Sequence, residues 1–130
     1  MRSDYIRSVK EQPLEEHSWG SLVWLVGRKQ VPGCEQTFGV CTIQPGQRNP
    51  LHSHPNCEEL LYVVSGQCEH KVGDEVHDLK AGDVICIPRN VRHWAKATGN
   101  EPLVAVISFS SPDRMFVSHE HEEARAAIAT

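Results

Sequence analysis

Long apolar runs are missing from this 130-residue chain. Nowhere do apolar residues extend over the roughly 18 positions that a membrane helix needs. The opening stretch, residues 1–19, has no apolar middle of the kind that marks a secretory signal. The sequence therefore reads as cytoplasmic, with no membrane partner. Positive charge is not in excess either: Lys and Arg number 13 against 17 Asp and Glu, the formal net charge is -4 and the pI is near 6.0. With no basic stripe, nucleic acid is not an expected partner. Paired cysteine motifs are absent. The five cysteines (Cys34, Cys41, Cys57, Cys68 and Cys86) are odd in number and scattered, which argues against a disulfide framework and against a thiolate zinc site. Aromatic residues are only 6% of the chain. Trp19, Trp24 and Trp94 supply much of the large apolar area, and Trp24 is expected in the core.

What is present is punctuation. Pro32-Gly33, Pro45-Gly46, Gly66, Gly73, Gly82, Pro88 and Gly99 interrupt short runs of valine, isoleucine, leucine and aromatics. The runs predict strands at Leu22–Val26, Phe38–Ile43, Leu60–Val64, Cys68–Val72, Glu75–Leu79, Val84–Ile87, His93–Lys96 and Leu103–Phe109. Short strands at this spacing indicate an all-β sandwich or barrel. Pro88 should end its strand, since it cannot donate to a central ladder. Residues 1–12 and the Ala- and Glu-rich Glu120–Ala129 read as helix or tail. The length fits one domain, with a barrel core over about residues 20–110.

Eight histidines are the unusual feature. Three candidate ligands sit in HSHPNCEELLYVVSG, residues 52 to 66. Side chains alternate along a strand, so His52 and His54 share a face and can meet one ion. After a bend through Pro55, Asn56 and Cys57, Glu59 shares parity with Leu61 and Val63, which are candidate barrel-lining residues, while Glu58 faces the other way. Glu58 remains the alternative carboxylate. Two imidazoles with a carboxylate suit iron(II), manganese, nickel, cobalt or zinc.

Residues 46 to 66, GQRNPLHSHPNCEELLYVVSG, match G-x5-H-x-H-x4-E-x6-G at every fixed position, and the six-residue step to Gly66 favours Glu59 over Glu58. This pattern resembles the first motif of the cupin superfamily. Residues 82 to 93, GDVICIPRNVRH, resemble its second motif, G-x5-P-x-G-x2-H, through Gly82, Pro88 and His93. Asn90 stands where glycine is usual, and Ala97 where the pattern ends in asparagine. Asn tolerates a positive φ better than most residues, and neither departure removes a ligand. The resemblance implies a small double-stranded β-helix (jelly-roll) barrel, a homodimer, and one divalent transition metal per chain on His52, His54, Glu59 and His93. His93 as the fourth ligand rests on the resemblance alone.

A four-ligand ion of this kind leaves positions for water, oxygen or substrate. The expected function is a dioxygenase-like oxidoreductase acting on a small polar or anionic molecule. One alternative is a lyase or isomerase, which needs a side-chain base. Cupin lyases of the dimethylsulfoniopropionate type place a tyrosine two residues after the ligand glutamate. Leu61 occupies that position here, and Tyr62 has the opposite parity. Another alternative is a non-catalytic binding module. Arg48 and Asn49, just before His52, and Arg114, after the last strand, are candidate contacts for an anionic substrate. His119 and His121 read as tail residues, His17, His70 and His77 as structural or exposed, and Trp94 as facing away from the metal. Cys57 carries no mark of an activated nucleophile.

Overall fold

The computed structural model describes residues 4–120. Eleven strands and one short 3-10 turn at Val9–Glu11 are the named elements of the described chain. In order they are β1 (Glu15–His17), β2 (Gly20–Val26), β3 (Thr37–Ile43), β4 (His52–Ser53), β5 (Glu59–Ser65), β6 (Gln67–Val72), β7 (Glu75–Lys80), β8 (Val84–Ile87), β9 (His93–Thr98), β10 (Leu103–Phe109) and β11 (Val117–Ser118). All eight predicted strands are present, and β8 stops before Pro88 as the missing N–H requires. Three short strands were not predicted: β1, β4 and β11. Two of these are only two residues long, too short for any alternation of polar and apolar residues to register. Apart from Glu120, the segment expected as a C-terminal helix or tail lies outside the described residues.

The strands form two antiparallel sheets, a six-stranded one ordered β1-β2-β3-β10-β5-β8 and a five-stranded one ordered β11-β4-β9-β6-β7. Their inner faces are chosen by alternation. In β3 and β10 every second side chain is buried, and β5 alternates buried and exposed from Glu59 onward. Leu61 and Val63 face inward, and Leu60, Tyr62 and Val64 face outward. Leu61, Val63, Leu103, Ala105 and Phe109 of one sheet pack with Cys68, Ala95 and Ala97 of the other to form the core. The product is the cupin jelly-roll that the motifs implied.

Two backbone details place side chains in the interior. Gly39 is paired with Trp24 across β2 and β3, and a Cβ there would lie 2.7 Å from the indole and 2.8 Å from the Val23 carbonyl. The absent side chain leaves room for the Trp24 ring to lie across its neighbour. Asn90 has φ 65°, the left-handed conformation that glycine usually supplies at this point. Its N–H donates to the His54 carbonyl at 2.9 Å, which ties the turn after Pro88 to the first ligand segment.

Candidate metal centre

The four residues proposed as ligands come from both sheets. His52 lies on β4, directly opposite His93 of β9. His54 follows β4, and Glu59 opens β5, flanked by Phe109 and Ile87 on its neighbouring strands. Folding brings one ligand atom of each of the four residues to within 4.8 Å of the others, and each residue is buried. None is more than 6% exposed. Glu58, the alternative carboxylate, is exposed and bonds through its backbone to Ser110.

The hydrogen bonds around the rings bear on whether a cation fits. Nδ1 of each histidine meets a backbone carbonyl: His52 that of Pro50 at 2.5 Å, His54 that of Met115 at 2.7 Å, and His93 that of Val91 at 2.8 Å. A neutral imidazole that donates from Nδ1 carries a bare lone pair on Nε2. All three Nε2 atoms are thereby prepared as ligands, in the manner of histidines oriented by an outer layer of acceptors. Glu59 Oε1 lies 3.1 Å from Nε2 of His93 and 3.2 Å from Nε2 of His54, and the latter nitrogen is buried without a hydrogen bond. Lone pairs on two nitrogens and a carboxylate oxygen converge, and a cation among them removes their mutual repulsion. The donor set therefore fits one divalent first-row metal ion.

Electrostatics agree with this assignment. Burial, joined by the nearby His93, pushes His52 down to about 3, so its ring stays neutral and able to ligate. Burial pushes the Glu59 carboxyl up, but the imidazoles of His54 and His93 beside it push the other way and hold the group well below the usual carboxylate range. The carboxylate is thus available as an anionic ligand.

His52, His54 and Glu59 open onto a cavity of about 460 Å³, while His93 sits behind them. Leu61 lines the cavity as expected; Val63 does not, being packed in the core one turn of alternation further along β5. Of the candidate substrate contacts, Asn49 and Arg114 line the cavity. Asn49 accepts the Ala95 N–H through Oδ1 at 2.8 Å, so part of its polarity holds β9 in place. Arg48 is not in the cavity wall. Its guanidinium lies over Trp94 at 5.3 Å and pairs with Glu120 at 3.1 Å.

His17 is exposed, as expected, with its side chain 37% accessible, and it also borders the cavity with Glu15 and Trp19. Its Nε2 lies 2.7 Å from Glu15 Oε2, its ring stacks on Trp19 with centroids 4.7 Å apart, and the Trp24 indole N–H reaches Glu15 Oε1 at 3.4 Å. The only sequence signal would have been the E-x-H alternation of residues 15–17, which places both side chains on one face of a strand. His119 was expected in a tail; it bonds Ser53 Oγ at 2.8 Å behind β4, while His121 lies outside the described residues. Trp24 packs against the core as expected and also borders the cavity. His70 is buried, as a structural histidine would be, and His77 is exposed beside Glu75. Burial raises the Cys57 thiol, which leaves it a poor nucleophile.

A jelly-roll of two sheets with a three-histidine, one-glutamate cluster facing an internal cavity defines a small barrel with a candidate metal centre. The cupin domain model matches residues 39–109, and the chain belongs to that family. Among curated proteins it is 40% identical over 63 residues to Protein SchB of Streptomyces halstedii, covering 48% of this chain and 46% of that one. It is 31% identical over 102 residues to Polyketide synthase CurC of Streptomyces cyaneus (78% and 66%). It is 28% identical over 116 residues to Germin-like protein 5-1 of Oryza sativa subsp. japonica (82% and 52%). Among solved structures, the Lactobacillus farciminis oxalate decarboxylase formate complex superposes with a TM-score of 0.78 at 28% identity, covering 84% of this chain and 34% of that one. Bacillus subtilis oxalate decarboxylase, which has Mn(II) centres, matches at a TM-score of 0.77 and 27% identity, with coverage of 85% and 30%. The chain spans about half the length of the first curated relatives and about a third of these solved chains.

Proposed function

We propose that this chain holds one divalent transition metal on His52, His54, Glu59 and His93 and is an enzyme acting on a small anionic molecule. The observation that carries this reading is the set of three Nε2 atoms turned inward by carbonyl-bound Nδ1 atoms, converging with Glu59 in a cavity wall. When bound, the ion supplies Lewis-acid or redox chemistry at that wall. The chain's own contribution is to orient the ligands, exclude water with Leu61, Ile107 and Phe109, and present Arg114 to a negative group. Manganese or iron would suit the donor set, and the oxalate decarboxylase likeness favours manganese.

Two reaction classes remain. A dioxygenase-like oxidation needs no side-chain base, and an apolar cavity suits it. A lyase or isomerase does need one, and the Glu15–His17 pair supports that second reading. With Nε2–H donated to the carboxylate, Nδ1 of His17 is left as an acceptor, and Glu15 would stabilise the imidazolium formed when it takes a substrate proton.

Elemental analysis tests the metal: about one ion per chain is expected in the wild type, with most of it lost in His52→Ala and in His54→Ala. Equal metal content in all three proteins would reject the ligand assignment. An oxygen-electrode screen over small acids separates the classes. Oxygen uptake supports the first; turnover without oxygen that disappears in His17→Gln supports the second.

A further inference from the structure

The cavity differs in character from what a compact polar acid would need. About 460 Å³ is some three times the roughly 150 Å³ cavity that accommodates benzene. An acid of oxalate's size would leave most of the wall facing water. In a chain with three Trp, three Phe and two Tyr, half of these aromatic residues (Trp19, Trp24, Phe109 and Phe116) line this one space. The cationic side chain among them is Arg114. Its guanidinium lies 4.4 Å from the centre of the Trp24 ring, 5.3 Å from that of Phe109 and 5.8 Å from that of Phe116. Arg28 pairs with Asp113, and Arg48 pairs with Glu120. Arg114 has no carboxylate within ion-pair distance among the described residues; Glu15, its neighbour along the wall, is already engaged by His17 and Trp24. Burial lowers the Arg114 pKa, and the nearby charges of Glu59 and Glu15 only partly offset it.

We infer that the cavity takes a planar aromatic carboxylate, with its ring among the aromatic side chains and its charge on the Arg114 guanidinium. This rests on the proposed metal-dependent function and deepens it, since it takes the cavity beside the metal ligands to be the substrate chamber. Aromatic walls favour a flat ring through offset and edge contacts that an aliphatic or very small acid does not make. A guanidinium fixed against those walls meets a carboxylate in a defined plane.

The test is calorimetric titration of zinc-loaded protein with 2-naphthoate, with oxalate, and with methyl 2-naphthoate, which keeps the ring and removes the charge. 2-Naphthoate is expected to bind at least about ten-fold more tightly than either of the others. In Arg114→Met the advantage of naphthoate over its ester should vanish. Oxalate binding as tightly as naphthoate, an ester binding as tightly as the acid, or an unchanged ratio in Arg114→Met would each overturn the inference. The wild-type ligand series decides the matter alone if the variant does not fold. Zinc content is measured on the same samples. Protein that holds zinc without preferring naphthoate sinks this inference and leaves the metal reading standing. Protein that holds no zinc yet prefers naphthoate does the reverse.

Discussion

Acid should unfold the metal-free protein through buried imidazoles, and His70 allows the effect to be measured at one residue. His70 is 1% exposed, its Nδ1 has no hydrogen-bond partner, and its ring lies nearly parallel to that of His93 with centroids 5.9 Å apart. Burial first, and then the neighbouring His93, push it from 6.5 down to about 4. Because the folded value lies below the unfolded one, the unfolded chain takes up the proton first as pH falls. The stability is complete above about pH 6.5 and is lost progressively between about 6.5 and 4. At pH 5 the gap from the unfolded value is about 1.5 units, which amounts to about 2 kcal/mol. His52, pushed to about 3, adds about 2 kcal/mol more over the same interval. A total of about 4 kcal/mol is a large share of the 5–15 kcal/mol that typically holds a domain folded.

The assay is denaturant unfolding of chelator-treated protein at pH 7.5 and pH 5, for wild type and for His70→Leu. Leucine is close to histidine in volume and does not titrate. The wild type should lose about 4 kcal/mol between the two conditions, and the variant about 2 kcal/mol. The Glu59 carboxyl, held below its ordinary value, begins to matter only below about pH 4.5 and does not disturb the comparison. Identical losses in the two proteins would show that the His70 ring is not withheld from protons, and the reasoning would fail.

The remaining predictions concern the elements that hold the site. Adding metal at about one hundred times its dissociation constant should raise stability by about 2.7 kcal/mol in the wild type and leave His54→Ala almost unmoved, read by thermal melting. In Gly39→Ala the new methyl group must displace the Trp24 ring, so a loss of about 1–3 kcal/mol with altered tryptophan fluorescence is expected. Asn90→Gly should be close to neutral. Asn90→Val should cost about 1–2 kcal/mol at φ 65° and weaken metal binding, because the Asn90 N–H is bonded to the His54 carbonyl.

Much of the fold was legible because burial follows alternation. Leu61 and Val63 fell on the same parity as Glu59, and all three are buried. His52 and His54 were readable as a pair for the same reason. What linked them to His93 was the motif resemblance, since the pairing of β4 with β9 is a long-range contact that periodicity does not encode. The lesser failures share that cause. Arg48 stands four residues before His52 and is a candidate substrate contact by sequence, but at its isolated bridge to Lys96 it pairs with Glu120, which the return of the chain through β11 brings near. The partners of His17, Glu15 and Trp19, stand two residues to either side of it, but the cavity they border is closed by Trp24 and Arg114 from other segments.

The same distinction separates what likeness to oxalate decarboxylase explains from what it does not. The barrel is similar to that of oxalate decarboxylase at 27–28% identity, and the four ligands of this chain sit within two short motifs. The cavity wall depends on Trp19, Trp24, Phe109, Arg114 and Phe116, all of which lie outside both motifs. A change in Trp19, Trp24 or Arg114, none of which stacks on a ligand ring, alters the size and charge of the chamber without touching the ligand set, whereas Phe116 stacks on His52 and Phe109 meets His54 edge-on. The metal chemistry and the choice of substrate can therefore vary independently on this scaffold. Replacing Trp24 by alanine should accordingly change which acids bind while leaving metal content at about one per chain. Loss of the ion from that variant would mean that the aromatic wall supports the ligand cluster itself, and the two functions could no longer be treated as separable.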